Sequence, residues 1–114
     1  MKTIIAGSRS IVDFAIVEQA IKDSGFDITE VVCGGANGVD SLGKLWATQH
    51  NIPVKMFMAA WDTYGSSAGY KRNVQMSGYA EALIAVWDKT RSKGTGHMID
   101  IANRNGLKVF VKKL

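Results

Sequence analysis

The chain has 114 residues, 46% hydrophobic and 21% charged, with a formal net charge of +4. That suffices for one domain, 1–114, with a real core and is too little for two, and so mild a charge does not by itself call for a nucleic-acid partner. The single cysteine, Cys33, rules out an internal disulfide, no apolar stretch approaches a membrane span, and Met1-Lys2 leads straight into an apolar run, so the reading is a cytoplasmic protein with no membrane contact.

Apolar runs alternate with amphipathic stretches. Lys2–Ala6 is a short continuous apolar run, as expected of a strand covered on both faces. Asp13 is placed to cap a helix running to about Ser24, with Gly25 as its stop. Phe14, Val17 and Ile21 share one face of that helix. Ile28–Cys33 reads as the second strand. Val39, Leu42 and Trp46 stripe a second helix that ends near Asn51, ahead of Pro53. Val54–Met58 is a third strand, and Ala59 to Gly69 a longer loop. Tyr70 to about Tyr79 has helical spacing, and Ala82–Trp87 is the most apolar strand. Asp88–Lys93 is a polar, basic loop. Gly94–Asn105 is the fourth helix, with Met98, Ile101 and Ala102 inward and Gly106 as its stop. Leu107–Val111 is the last strand. Five strands alternating with four helices predict an α/β fold: a three-layer α/β/α sandwich with a mainly parallel five-stranded sheet. Ligands of such folds bind beyond the C-terminal strand ends, where Gly7, Gly34, Ala59 and Asp88 begin loops.

The densest signal is Gly34-Gly35-Ala36-Asn37-Gly38-Val39-Asp40, between an apolar run and a helix. Its glycines let the backbone turn sharply and approach a ligand with no Cβ in the way. The following helix would aim its free N–H groups at an anion, most often a phosphate. The alternative is a tight turn that holds nothing. Gly7-Ser8-Arg9 is a second such turn: Ser8 could donate to a phosphate and Arg9 clamp it, or Arg9 could form an ordinary surface pair. Gly94-Thr95-Gly96-His97 opens the last helix as a third candidate, with His97 as a phosphate contact, a proton carrier or a plain surface residue.

Asp40, just inside a helix start, either complements the helix dipole or accepts a sugar or base hydroxyl. Asp88, at the end of a buried strand, faces the crevice and could bind a hydroxyl, hold a metal or act as a base. Of Lys71, Arg72 and Asn73, neighbours on one helix, only some can reach one ligand. Trp61, Tyr64 and Tyr70 either stack on a base or cover the core, and Trp87 could do either; Trp46 and Met98 belong to the core. Cys33 reads as a small buried residue. Neither G-x-G-x-x-G nor G-x-x-x-x-G-K-[ST] occurs, so no dinucleotide cofactor is expected. Cys33, His50 and His97 are too far apart to form a metal-ligand motif.

The ordered set Gly7-Ser8-Arg9, Gly34 to Asp40, Trp61 with Tyr64-Gly65, Ala68-Gly69, Arg72-Asn73 with Met76, and Ala82–Ala85 through Trp87-Asp88 resembles the SLOG superfamily, most closely its small YspA-like, YpsA-related branch. The Rossmann part of the DNA-processing protein DprA is similar in its Gly-Ser-Arg and Gly-Gly-Ala-x-Gly-x-Asp turns. The resemblance implies a Rossmann-like domain that binds nucleotides or nucleotide-derived ligands, and a homo-oligomer. It also extends to the LOG phosphoribohydrolases, which cleave the N-glycosidic bond of nucleoside 5′-monophosphates. Met98 stands where those enzymes carry a glutamate, and Asp88 with its basic loop replaces their Pro-Gly-Gly turn.

A binding module for a nucleotide-type small molecule is therefore the first expectation. Phosphate would sit on Gly34–Gly38 and at Gly94-Thr95, Arg9 and Arg72 would neutralise it, and Asp40 and Asp88 would read hydroxyls. The second is a hydrolase of an N-glycosidic or phosphate-ester bond, with Asp88, Asp40 and His97 carrying the chemistry. The third is single-stranded nucleic-acid binding, which the mild charge favours less.

Overall fold

The structure is a computed structural model, and it describes residues 1–34, 38–88 and 93–114. Its strands are β1 (Lys2–Gly7), β2 (Glu30–Cys33), β3 (Val54–Met56), β4 (Ala82–Trp87) and β5 (Lys108–Lys113). Its helices are α1 (Phe14–Ser24), α2 (Val39–Gln49), α3 (Trp61–Tyr64), α4 (Ala68–Tyr79) and α5 (Lys93–Arg104), with a 3-10 turn over Gly65–Ser67 between α3 and α4. The strands form one sheet in the order β3-β2-β1-β4-β5, and every pairing is parallel. This is the expected Rossmann-like α/β fold.

Each strand side chain alternates between the two faces, and both faces are covered. On one face Ile5, Val31, Ile84 and Val86 pack against Val17 and Ile21 of α1 and Val39 and Trp46 of α2. On the other, Ile4, Ala6, Val32, Leu83 and Ala85 pack against Met76 of α4 and Met98 and Ala102 of α5. Trp46 and Met98 are core residues, as their helical spacing required, and Cys33 is a buried free thiol.

Helix ends follow local chemistry. The Asp13 carboxylate accepts the Ala15 N–H at 3.0 Å, which caps α1, and Gly25 closes it with φ +66°. The segment 59–69, read from sequence as a loop, instead contains α3, the 3-10 turn and the start of α4. Short turns with few apolar residues leave no periodic signal, so four expected helices became five.

Strand lengths are corrected by register. β2 pairs from Glu30, opposite Lys2, so Ile28 and Thr29 lie outside the ladder. β3 stops at Met56 because its partner β2 ends at Cys33. β5 runs on to Lys113 because β4, its partner, continues to Trp87. The neighbour, rather than the strand's own composition, sets where pairing ends.

Candidate functional site

The strand order reverses between β1 and β4, where one half of the chain winds outward through β2 and β3 and the other through β5. The C-terminal ends of β1 and β4 are therefore the crevice position of such a sheet. Gly7 pairs with Val86 there, and a Cβ at Gly7 would lie 2.2 Å from the Val86 carbonyl oxygen. Ser8 is 2% exposed; its N–H donates to the Val86 carbonyl at 3.2 Å, and its Oγ accepts the Asp88 N–H at 2.9 Å. Ser8 thus ties the two central strand ends together. Asp88 is half-buried at the mouth.

From this point a closed circuit of contacts runs around the rim. Gly38, with φ +76°, lies against the backbone of Ser8 and Arg9, where a Cβ would meet both carbonyl oxygens at 2.6 Å. Only glycine allows this approach of α2 to the β1 turn. Arg9 itself is exposed. Asp40, in the first turn of α2 and 5% exposed, accepts the Gly34 N–H on Oδ2 at 3.1 Å. The carboxylate therefore does two things at once: it complements the helix end and holds the first residue of the glycine loop. On the other side of the same residue, Arg72 Nη1 donates to the Gly34 carbonyl at 2.9 Å. The guanidinium lies so close to Gly34 that a Cβ there would meet Arg72 Nε at 2.7 Å. Arg72 Nε is buried and has no hydrogen-bond partner among the described residues.

Arg72 and Asn73 diverge, as adjacent positions on a helix must. Arg72 turns to β2, while Asn73, 4% exposed, turns to α5. Its Nδ2 lies 3.1 Å from the Gly94 carbonyl oxygen and 3.1 Å from His97 Nδ1. Tyr70, three residues earlier on the same face of α4, meets the His97 ring edge-on at 4.7 Å between centroids. Thr95 is buried and Gly94 exposed at the head of α5. Gly96 lies under Trp87, whose Cζ2 would be 3.2 Å from an added Cβ. Trp87 ends β4, next to Asp88, and the circuit closes on Ser8.

Gly7, Ser8, Arg9, Gly34, Gly38, Asp40, Arg72, Asn73, Trp87, Asp88, Gly94, Thr95 and His97 all fall on this rim. Gly35, Ala36, Asn37 and the basic residues Lys89 and Arg91 lie outside the described residues. Two contacts on this rim lie beyond the expected site residues: Gly96 as the seat of Trp87 and Tyr70 as the neighbour of His97. The i, i+3 spacing of Tyr70 and Asn73 was the available signal for the latter. Trp61 and Tyr64 stand apart from the circuit and are about half exposed; Lys71 Nζ sits 4.7 Å from the Tyr64 ring centroid. Among the described residues no group of His, Cys, Asp or Glu is arranged to hold a metal ion, and no helix is long and apolar enough to cross a membrane.

Comparison with known proteins bears on the family and the fold. A family model described as YAcAr, the YspA, cpYpsA-related SLOG family, matches residues 1–64, the segment that carries both glycine turns. The Gene 61 protein of Mycobacterium phage D29 is 30% identical over 118 residues, covering 96% of this chain and 94% of that protein. Among solved structures, DNA processing protein A (DprA) from Streptococcus pneumoniae superposes with a TM-score of 0.75 at 17% identity. That match covers 96% of this chain and 49% of the DprA chain, so it is a likeness of fold to about half of a longer protein. With the two turns inside the matched segment and a relative aligned nearly end to end, the chain belongs to the YspA, cpYpsA-related SLOG family.

Proposed function

We propose that the chain binds a nucleotide or nucleotide-derived ligand at the C-terminal rim of the sheet, as a sensor or sequestering module. One observation carries the reading. The circuit Ser8–Gly38–Asp40–Gly34–Arg72–Asn73–Gly94, continued along α5 through Gly96 to Trp87 and Asp88, runs around the point where strand order reverses. Two helices of the circuit, α2 and α5, start on this rim with their positive dipole ends, and an arginine stands between them. Such an edge favours a phosphate-bearing ligand, with Asp88 as an acceptor on its perimeter and buried Asp40 holding Gly34 in place. Family membership supports the same ligand class.

A thermal-shift panel of nucleoside mono-, di- and cyclic phosphates and nicotinamide nucleotides tests it. A ligand held at about 100 times its dissociation constant stabilises the fold by roughly 2.7 kcal/mol, a shift of many degrees for a domain of this size. No shift from any of them near millimolar concentration rejects the reading. Chromatography of the incubated ligands separates binding from turnover: release of free base or phosphate would make the chain a hydrolase. If that release persisted in Asp88→Asn, Asp40→Asn and His97→Ala, the chemistry would lie elsewhere.

A further inference from the structure

The two histidines of the chain are held in opposite ways. His50 Nδ1 lies 2.8 Å from the Trp46 carbonyl oxygen, a group that only accepts. His50 Nδ1 therefore carries the hydrogen. His97 Nδ1 instead faces the amide nitrogen of Asn73 at 3.1 Å. The orientation of that amide is settled by its other contact. The same Nδ2 points at the Gly94 carbonyl oxygen, and turning the amide over would set two acceptors against each other at 3.1 Å. One amide hydrogen goes to Gly94 and the other to His97, so His97 Nδ1 is the acceptor. In the neutral imidazole the hydrogen then sits on Nε2. Among the described residues Nε2 has no hydrogen-bond partner.

We propose that His97 is a hydrogen-bond donor for a phosphoryl oxygen of the ligand, and that Asn73 is the positioning residue that makes it so by fixing the Nε2–H tautomer. This rests on the nucleotide-binding reading of the rim and goes beyond it, because it assigns a direction to the histidine. With the Nδ1 lone pair occupied by Asn73 and the hydrogen on Nε2, His97 offers no lone pair to take a proton from water. It recognises an acceptor and does not serve as a general base. Its place in α5, four residues from the start of the helix, puts that donor beside the end that favours negative charge. The Tyr70 ring packed edge-on limits how the imidazole can turn. A phosphoryl oxygen can come from a nucleotide or from free phosphate, so both are needed as probes.

The test uses the full chain and needs two readouts. Long-range proton–nitrogen NMR on histidine-labelled protein should show a protonated Nε2 on His97 and a protonated Nδ1 on His50, which serves as internal control. In Asn73→Asp, whose carboxylate accepts, the hydrogen of His97 should move to Nδ1. Calorimetric titration with the four ribonucleoside 5′-monophosphates and with inorganic phosphate should show at least tenfold weaker binding of the best monophosphate to His97→Ala. His97→Gln, whose amide N–H lies near the position of Nε2–H, should recover most of it. Far-UV circular dichroism checks that each variant is folded. If His97 carries its hydrogen on Nδ1, or if the best ligand binds wild type and His97→Ala alike, the assignment of His97 is overturned while the site stands. If no monophosphate and no phosphate binds the wild type, the site and this assignment both fail.

Discussion

Tyr79 sits at the N-terminal edge of the sheet, away from the rim, and shows how a single hydrogen bond acquires a pH dependence. Its hydroxyl donates to Glu30 Oε1, and Lys2 Nζ lies 4.4 Å from its ring centroid. The bond to Glu30, then burial and the negative charge of Glu30, raise the phenol above its ordinary value of 10.0. The bond exists only while the phenol keeps its proton. Because the folded value is the higher one, the stability it brings is complete below the ordinary tyrosine pKa of about 10 and is lost as pH rises through the folded value. Tyrosinate absorbance should therefore include a step above pH 10 that is missing in Tyr79→Phe; identical titration curves for the two proteins would contradict this. A second residue-scale contrast involves two glycines. Gly25 has φ +66° and nothing within 4 Å of an added Cβ, whereas Gly38 has φ +76° and two carbonyl oxygens at 2.6 Å. Gly25→Ala should cost about 1 kcal/mol from backbone strain alone. Gly38→Ala should cost more, in the range of about 1–3 kcal/mol for strain before the clash is added, and should also abolish the ligand binding proposed for the rim. Urea denaturation of the pair reads the difference.

Helix α2 serves the core and the rim at once. One side of it seats Val39 and Trp46 in the core, its first turn presents Asp40 to Gly34, and Gly43 lets its axis lie close on β1. A Cβ at Gly43 would come within 2.7 Å of Ile5 Cγ2, a side chain with no exposed surface. Alanine is the better helix former by about 1 kcal/mol. Overpacking a closed core costs typically about 1–3 kcal/mol, so the clash should win and Gly43→Ala should lower the urea midpoint with an unchanged slope. A raised midpoint would mean that α2 can lift off the sheet at no cost. Because the same movement would draw Asp40 from Gly34, the nucleotide binding proposed for this rim should weaken together with stability.

At the scale of the whole molecule, the two cores are two faces of one sheet and should melt together. Leu83 and Ile84 are consecutive on β4, an interior strand of the sheet, and fully buried on opposite faces, Leu83 toward α4 and α5 and Ile84 toward α1 and α2. Either residue changed to alanine should cost about 2–5 kcal/mol. In each variant tryptophan fluorescence and far-UV circular dichroism should still report a single coincident transition. Two separated transitions would show that the faces fold as independent layers. Much of this architecture was legible in the sequence by itself. The apolar runs, the period of Phe14, Val17 and Ile21, and the glycines after them reflect local backbone and burial requirements that every residue states for itself, and these determine an α/β sandwich with its loops on one edge. Gly7, Gly34 and Gly38 were visible for the same reason, since a glycine between a strand and a helix marks a local backbone need. The tertiary structure alone decided the rest. Strand ends were set by partners, as with Lys113 opposite Trp87. That Asp40 and Arg72 grip Gly34 from two sides, and that Asn73 chooses the tautomer of a histidine 24 positions away, depends on which elements the sheet order makes neighbours. Hydrogen bonds between distant residues leave no period in the chain, because their geometry exists only once the elements have packed.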